Sequence, residues 1–171
     1  MSNQDSKPGY IADVFKFAAE QRSLSGRVEV AAMQRLADQL ADTAGAVEYR
    51  IEGSREPESG PRLLLKIDGR LMLRCQRCLS GLGWDLTVST LLQPVRAGQE
   101  IPDDELEDDE VDAIEVGDDL DVLGLIEDEI LLALPIAPRH DECESPRPDG
   151  GAEKKSPFAV LSGLRGNDSA V

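Results

Sequence analysis

Residues 62–78 read RLLLKIDGRLMLRCQRC, and this pattern predicts most of the architecture. Apolar side chains recur at every second position on both sides of Asp68-Gly69, at Leu63, Leu65, Ile67, Leu71, Leu73 and Cys75. Successive side chains of a strand point to opposite faces, so each run predicts a strand with one buried face. Asp68-Gly69 is a two-residue hairpin signal, since both residues tolerate positive φ. The stretch therefore predicts two strands joined at Asp68-Gly69.

Neighbouring segments extend this sheet. Alternating apolar residues come before the stretch at Val47, Tyr49 and Ile51, and after it at Trp84, Leu86 and Val88. Together the segments predict an antiparallel meander with one buried and one wet face. The Cys-x-x-Cys turn lies between its third and fourth predicted strands.

Helical patterns flank the meander. Apolar spacing predicts helices over residues 12–22 and 30–42. A stronger helix follows Asp118, Asp119 and Asp121, any of which can cap it, and Pro135 ends it. Ser156-Pro157 opens a last short helix. The fold class is α+β, a single domain with an antiparallel β-meander flanked by helices, a mobile acidic loop and a short C-terminal helix.

The chain divides into four expected parts. Residues 1–10 form a flexible N-terminus, and residues 11–143 form the α+β domain, with an acidic loop at 97–118 and a short strand near Val111 to Val116. Residues 144–156 are a linker rich in Pro, Gly, Lys and Ser, and residues 157–171 are a C-terminal helix and tail. No apolar stretch approaches the roughly 20 residues that a membrane span needs. The N-terminus lacks a secretory signal, and three cysteines fit a reducing compartment. We therefore expect a cytoplasmic protein.

The formal net charge of −16 comes from one block. Residues 97–138 hold 16 Asp and Glu and no Lys or Arg, whereas the rest of the chain holds 18 acids and 18 bases. Such a block repels phosphates and favours basic partners, although a solvated loop that only aids solubility has the same composition. The expected contacts to a basic partner are Asp103, Asp104, Glu105, Glu107, Asp108, Asp109 and Glu110.

All three cysteines and the only histidine form two short-spaced pairs. These are Cys75-x-x-Cys78 and His140-x-x-Cys143, and two such pairs suit one tetrahedral zinc ion. Two other interpretations remain open: surface thiols with a solvated histidine, or a redox pair. The redox interpretation is weakened because Cys75 and Cys78 do not open a helix, the setting that lowers a thiol pKa. The expected cofactor is one structural zinc ion and no other.

Basic residues gather around the first pair. They are Arg62, Lys66, Arg70, Arg74 and Arg77, and alternation places them on one exposed surface over two adjacent strands. Such a surface can contact RNA phosphates. It is also what an ordinary charged sheet face looks like, and it lacks the interleaved aromatics that stack bases.

Catalytic signals are weak. Glu127, Asp128 and Glu129, with the acidic loop, could hold a divalent metal for hydrolysis, but nothing in the pattern orders them into a pair. The chain has no glycine-rich phosphate loop and no G-x-S-x-G. We expect no enzymatic activity.

Three segments together resemble the YceD family of large ribosomal RNA subunit accumulation proteins. They are the Cys75 to Cys78 turn, the run DVLGLIEDEILLALP from Asp121 to Pro135 with the IAPRH that follows it, and the terminal PFAVL at Pro157 to Leu161. The resemblance places Cys75 and Cys78 at family positions, with His140 and Cys143 where relatives carry Cys or His. It implies a role in synthesis, processing or stability of 23S rRNA in the bacterial cytoplasm, without an established reaction.

Two main modes of action follow from these features, and a metal-dependent nuclease that acts in rRNA processing is a minor third. In the first, the basic sheet face contacts 23S rRNA or its precursor. In the second, the acidic block holds a basic ribosomal protein and affects rRNA indirectly. The charge favours the second mode, and the resemblance does not distinguish them. We expect no membrane partner, and the oligomeric state stays open.

Overall fold

The computed structural model of the protein describes residues 9–56, 60–99 and 111–144. The strands are β1 (Tyr10–Ala12), β2 (Ser23–Glu29), β3 (Leu40–Asp42), β4 (Ala46–Glu56), β5 (Gly60–Arg74), β6 (Gly81–Arg96), β7 (Val111–Val116) and β8 (Asp119–Asp121). The helices are α1 (Val14–Ala19), α2 (Gln34–Ala37) and α3 (Val122–Ala133), with a 3-10 turn at Val30–Ala32. No helix in these ranges is both long and apolar enough to cross a membrane.

Long strands dominate the main sheet. Its order is β2-β4-β5-β6-β7, and β3 pairs with β5 beyond the end of β4. All pairs are antiparallel except β6 with β7, and β1 and β8 form a separate two-stranded sheet. The predicted α+β class with an antiparallel meander is confirmed.

The predicted turn at Asp68-Gly69 is wrong. β5 runs through both residues as one strand of 15 residues, and the hairpin to β6 lies at residues 75–80. Gly69 instead permits close packing, because a Cβ there would lie 2.9 Å from Val47 Cγ1. The sequence held a contrary signal. A two-residue turn would pair Ile67 with Arg70 and place both on the same face, so the buried positions would change from odd to even numbers after the turn. The apolar positions instead stay odd from Leu63 to Cys75, as in one continuous strand.

The predicted helix over residues 30–42 is also wrong in extent. The segment divides into the 3-10 turn, α2 and β3, with Met33 non-helical at φ −91° and ψ 89°. Short helices are marginal, and Leu40 gains backbone pairing with Leu73 where β4 no longer covers β5. Met33, Leu36 and Leu40 are all buried, so the apolar spacing that resembled one helix serves three different elements.

Other predictions are confirmed or lie outside the described residues. The strand near Val111 to Val116 is β7, and the helix over 12–22 is present but shorter, as α1. Asp121 caps α3 by accepting a hydrogen bond from Leu123 N at 3.1 Å, and α3 ends before Pro135. The centre of the acidic loop, the linker from residue 145 and the C-terminal helix lie outside the described residues.

The core lies on one face of the sheet. Buried side chains of β4, β5 and β6 pack against α1, α2 and α3 and are mostly aliphatic, Ile51, Leu65, Ile67, Leu73 and Leu92 among them. The opposite face of β5 carries exposed Lys66, Asp68, Arg70 and Arg74. This arrangement brings the β5–β6 hairpin next to the segment that leaves α3.

Candidate metal centre

The first two sulfurs sit in the hairpin between β5 and β6. Cys75 N donates to Ser80 O, and Leu79 N donates to Cys75 O, both at 2.9 Å. Leu79 closes the turn with φ of 65°, a conformation that is uncommon outside glycine. The turn therefore holds Cys75 and Cys78 three residues apart in a fixed loop.

The other pair arrives on the segment after α3. Leu134 is extended at the end of the helix, as expected before Pro135. Gln76 N then donates to Pro138 O at 2.8 Å, which fastens this segment to the hairpin. His140 and Cys143 follow directly, so a backbone hydrogen bond accounts for the meeting of residues far apart in sequence.

The four predicted ligands converge. Their ligand atoms all lie within 4.8 Å of one another. Cys75 Sγ is 3.8 Å from Cys143 Sγ, and Cys78 Sγ is 3.4 Å from His140 Nδ1. A tetrahedral zinc ion with usual bond lengths separates two sulfurs by about 3.8 Å and a sulfur from a nitrogen by about 3.5 Å. The group could therefore hold one metal ion.

His140 is also oriented by its other nitrogen. Nε2 lies 3.2 Å from the carbonyl oxygen of Gly81, the first residue of β6, and donates to it when protonated. That hydrogen bond leaves Nδ1 free to coordinate, on the side that faces Cys78. Such an outer contact is typical of metal-binding histidines.

The surroundings split the thiol pKa values. Burial raises the pKa of Cys75, but backbone N–H groups, Cys78 N first, outweigh it and bring that pKa to about 5. The Ser80 side chain, 3.0 Å away, lowers the pKa of Cys78. Burial and the neighbouring Cys75 and Cys78 raise the pKa of Cys143 to about 11. Hydrogen bonding to Cys75 raises the pKa of His140. A bound cation would favour the deprotonated form of all three cysteines.

The predicted basic residues lie on one strand rather than two. Lys66, Arg70 and Arg74 project from the exposed face of β5, and Arg77 is exposed in the hairpin. Arg62 shares their face but is only 8% exposed, so it lies outside the accessible row. Arg70 pairs with Asp85 at 3.3 Å. Lys66 and Arg77 form no ion pair with any carboxylate in the described ranges, and their RNA contact remains a prediction.

Each of the three carboxylates of α3 has a partner within the fold. Glu127 accepts from Arg35 Nε at 2.9 Å and from Leu36 N at 3.0 Å, which links α3 to α2. Asp128 pairs with the same guanidinium. Glu129 accepts from Thr90 Oγ1 of β6 at 2.8 Å. They form no joint cation site, and the Cys3His group is the only cluster of that kind within residues 9–56, 60–99 and 111–144.

The sequence interpretation missed this role of Glu127. Its position places it between Leu123 and Ile130 on the inner face of the helix, and an acid there signals a buried partner. The partners Arg35 and Leu36 could not be identified, because the segment around them was assigned to a longer helix. The acids from Asp103 to Glu110 lie outside the described residues.

The fold and site define an α+β protein in which a Cys3His group closes a hairpin onto the segment after a helix. Residues 63–165, which include all four ligands, match the family model described as Large ribosomal RNA subunit accumulation protein YceD. The chain is 26% identical over 163 residues to the protein of that name from Haemophilus influenzae, covering 90% of this chain and 93% of the relative. No solved structure matches. The chain belongs to the YceD family.

Proposed function

We propose that this protein is a non-enzymatic cytoplasmic factor that supports the synthesis, processing or stability of 23S rRNA. The observation that carries this proposal is the family match over residues 63–165, together with a relative of nearly equal extent that is named for accumulation of large-subunit rRNA. The absence of a joint carboxylate site in α3 supports a role in binding rather than hydrolysis, because Glu127 and Glu129 are committed to internal contacts.

We propose further that the Cys3His group holds one structural zinc ion. Three thiolates and an imidazole in a tetrahedral arrangement are a donor set that zinc prefers. Cys75, Cys78, His140 Nδ1 and Cys143 would hold the ion, and four protein ligands leave no open position for substrate. The ion would tie the β5–β6 hairpin to the segment after α3.

Zinc affinity is expected to rise with pH. The neighbouring cysteines raise the pKa of His140, and burial raises the pKa of Cys143 to about 11, so the fold favours the protonated form of both groups in the metal-free protein. Coordination must displace those protons, and a lower pH therefore opposes binding. The zinc affinity can be measured by competition with a chromogenic chelator at several values between about pH 6 and about pH 8. An affinity that does not change with pH would contradict coordination by these groups.

Direct contact with 23S precursor RNA would use the exposed basic side chains near the Cys3His group, which are Lys66, Arg70, Arg74 and Arg77. UV crosslinking in growing cells, followed by sequencing of the recovered RNA, tests it. Crosslinks in one stretch of 23S precursor support direct contact, whereas recovery of the protein without enriched RNA counts against it.

Arg77→Glu is expected to weaken the RNA contact. Arg77 is exposed in the hairpin and has no carboxylate partner among the described residues, so reversing its charge loses phosphate attraction without breaking an internal contact. Affinity for a 23S fragment should fall by roughly threefold to tenfold. The slope of log affinity against log salt concentration should become shallower by about one unit, because one phosphate contact is lost. Arg27→Glu, at an exposed site on β2 beside Glu29, is the matched control. Equal losses in both variants would refute a localised contact.

A second candidate function is to hold a basic ribosomal protein, with rRNA affected indirectly. The acidic excess of residues 97–138 favours it, because a block without Lys or Arg repels RNA and attracts basic polypeptides.

A further inference from the structure

A groove runs between β7 and the start of α3. It has a volume of about 650 Å³, and β7 and the turn after it line one side through consecutive residues, Ala113, Ile114, Glu115, Val116 and Gly117. Residues of β8, the first turns of α3 and Arg35 also line the groove. The groove lies at the β7 edge of the main sheet, and none of the four Cys3His residues lines it.

β7 is the last strand of that sheet. It pairs with β6 on one side, and no strand pairs with its other side within residues 9–56, 60–99 and 111–144. An edge strand offers unpaired backbone N–H and C=O groups to an extended peptide. Addition of a strand from a partner is an established mode of recognition that such an edge permits.

The groove combines an apolar floor with an acidic rim. Leu120 and Leu125 are 9% and 8% exposed, and Ile114 is half-buried beside them. The rim carboxylates are Glu115, Asp119, Asp121 and Asp128, against a single guanidinium at Arg35, so the lining carries net negative charge. Glu115 accepts from Gly98 N, Asp121 caps α3 and Asp128 pairs with Arg35, whereas the Asp119 side chain has no such contact among the described residues.

We infer that this groove binds an extended Lys/Arg-rich segment of a partner protein, which adds to the outer edge of β7. Small apolar side chains at alternate positions would meet Ile114 and Leu120, and the basic side chains between them would reach the rim. RNA carries the same charge sign as the rim and is repelled. A second copy of this chain, at a net charge of −16, is also a poor occupant.

This inference deepens the second candidate function, since it names the binding mode and the chemistry of the partner. It can fail independently of that function, because a purified protein and a synthetic peptide test it without ribosomes. A protein that binds the peptide yet leaves rRNA levels unchanged would sustain the groove and refute the cellular role.

The test measures binding of the full chain to a labelled peptide in which Lys and Arg alternate with Val, with fluorescence anisotropy as the readout. Asp119→Lys should weaken binding by about tenfold at low salt, because it reverses a rim charge close to the basic side chains of the bound peptide. Asp68→Lys makes the same change on the exposed face of β5 and should have little effect. Amide hydrogen exchange should slow across Val111–Val116 when the peptide is bound.

Three results would overturn the inference. One is no binding, and another is equal weakening by Asp119→Lys and Asp68→Lys. The third comes from carbodiimide, which joins carboxylates to nearby lysines. Crosslinks in the free chain between Asp119 and Lys154 or Lys155 would assign the groove to the C-terminal segment of the chain itself.

Discussion

Cys75→Ser is expected to abolish stoichiometric zinc binding and to lower the free energy of unfolding by about 3 kcal/mol or more. Cys75 is fully buried at the end of β5, and its sulfur lies 3.8 Å from that of Cys143. Serine has nearly the same shape but is a poor zinc ligand, so the loss is one of coordination rather than packing. Elemental analysis of the purified protein and chemical denaturation measure the two effects.

Gln76→Ser is the matched control for this change. It lies in the same hairpin, and its backbone N–H, which bonds to Pro138 O, is retained. A chelator should destabilise the wild type and this control, but should have no further effect on Cys75→Ser. Wild-type protein that purifies without metal and unfolds identically with and without a chelator would remove the zinc proposal.

Glu127→Ala is expected to lower the free energy of unfolding by about 3 kcal/mol. The Glu127 side chain is only 8% exposed, and its removal leaves Leu36 N–H without a carboxylate acceptor. It also cuts the link between α2 and α3 through Arg35. Urea denaturation compares this variant with the wild type.

Asp128→Ala tests whether the effect comes from burial. Asp128 pairs with the same Arg35, but its side chain is 55% exposed, so we expect a loss below about 1 kcal/mol. Similar losses in both variants would contradict the special role of Glu127.

The contribution of Glu127 should depend on pH. Burial raises its pKa, but the Leu36 N–H and Arg35 outweigh burial, so the pKa is lowered in the folded state. A group with a lowered folded pKa stabilises the protein above its unfolded pKa and loses that effect as pH falls through the folded value. The stability gap between wild type and Glu127→Gln should therefore shrink in acid. A gap that widens as pH falls would contradict this sign.

The sheet could be predicted from sequence because alternation reports burial directly. Leu63, Leu65 and Ile67 are buried as expected. The continuation of β5 through Asp68-Gly69 was missed, because this dipeptide is a local turn signal, and the twelve backbone pairs with β6 that outweigh it form only in the folded sheet. Local turn preference is the weaker of these effects.

The members of the Cys3His group were predictable from sequence, but the contacts that hold the group together were not. Spacing alone indicated Cys75, Cys78, His140 and Cys143, since few residue types bind zinc. The bond from Gln76 N to Pro138 O and the contact of His140 with Gly81 O are set by the tertiary fold, and no sequence pattern marks them. The same holds for the groove beside β7, which depends on how β8 and α3 are placed.

The most direct test of the central claim is the ratio of 23S to 16S rRNA in cells depleted of this protein. Depletion is expected to lower the ratio, the wild type and Gln76→Ser are expected to restore it, and Cys143→Ser is not. An unchanged ratio on depletion, with the protein confirmed absent, would contradict a role in accumulation of large-subunit rRNA.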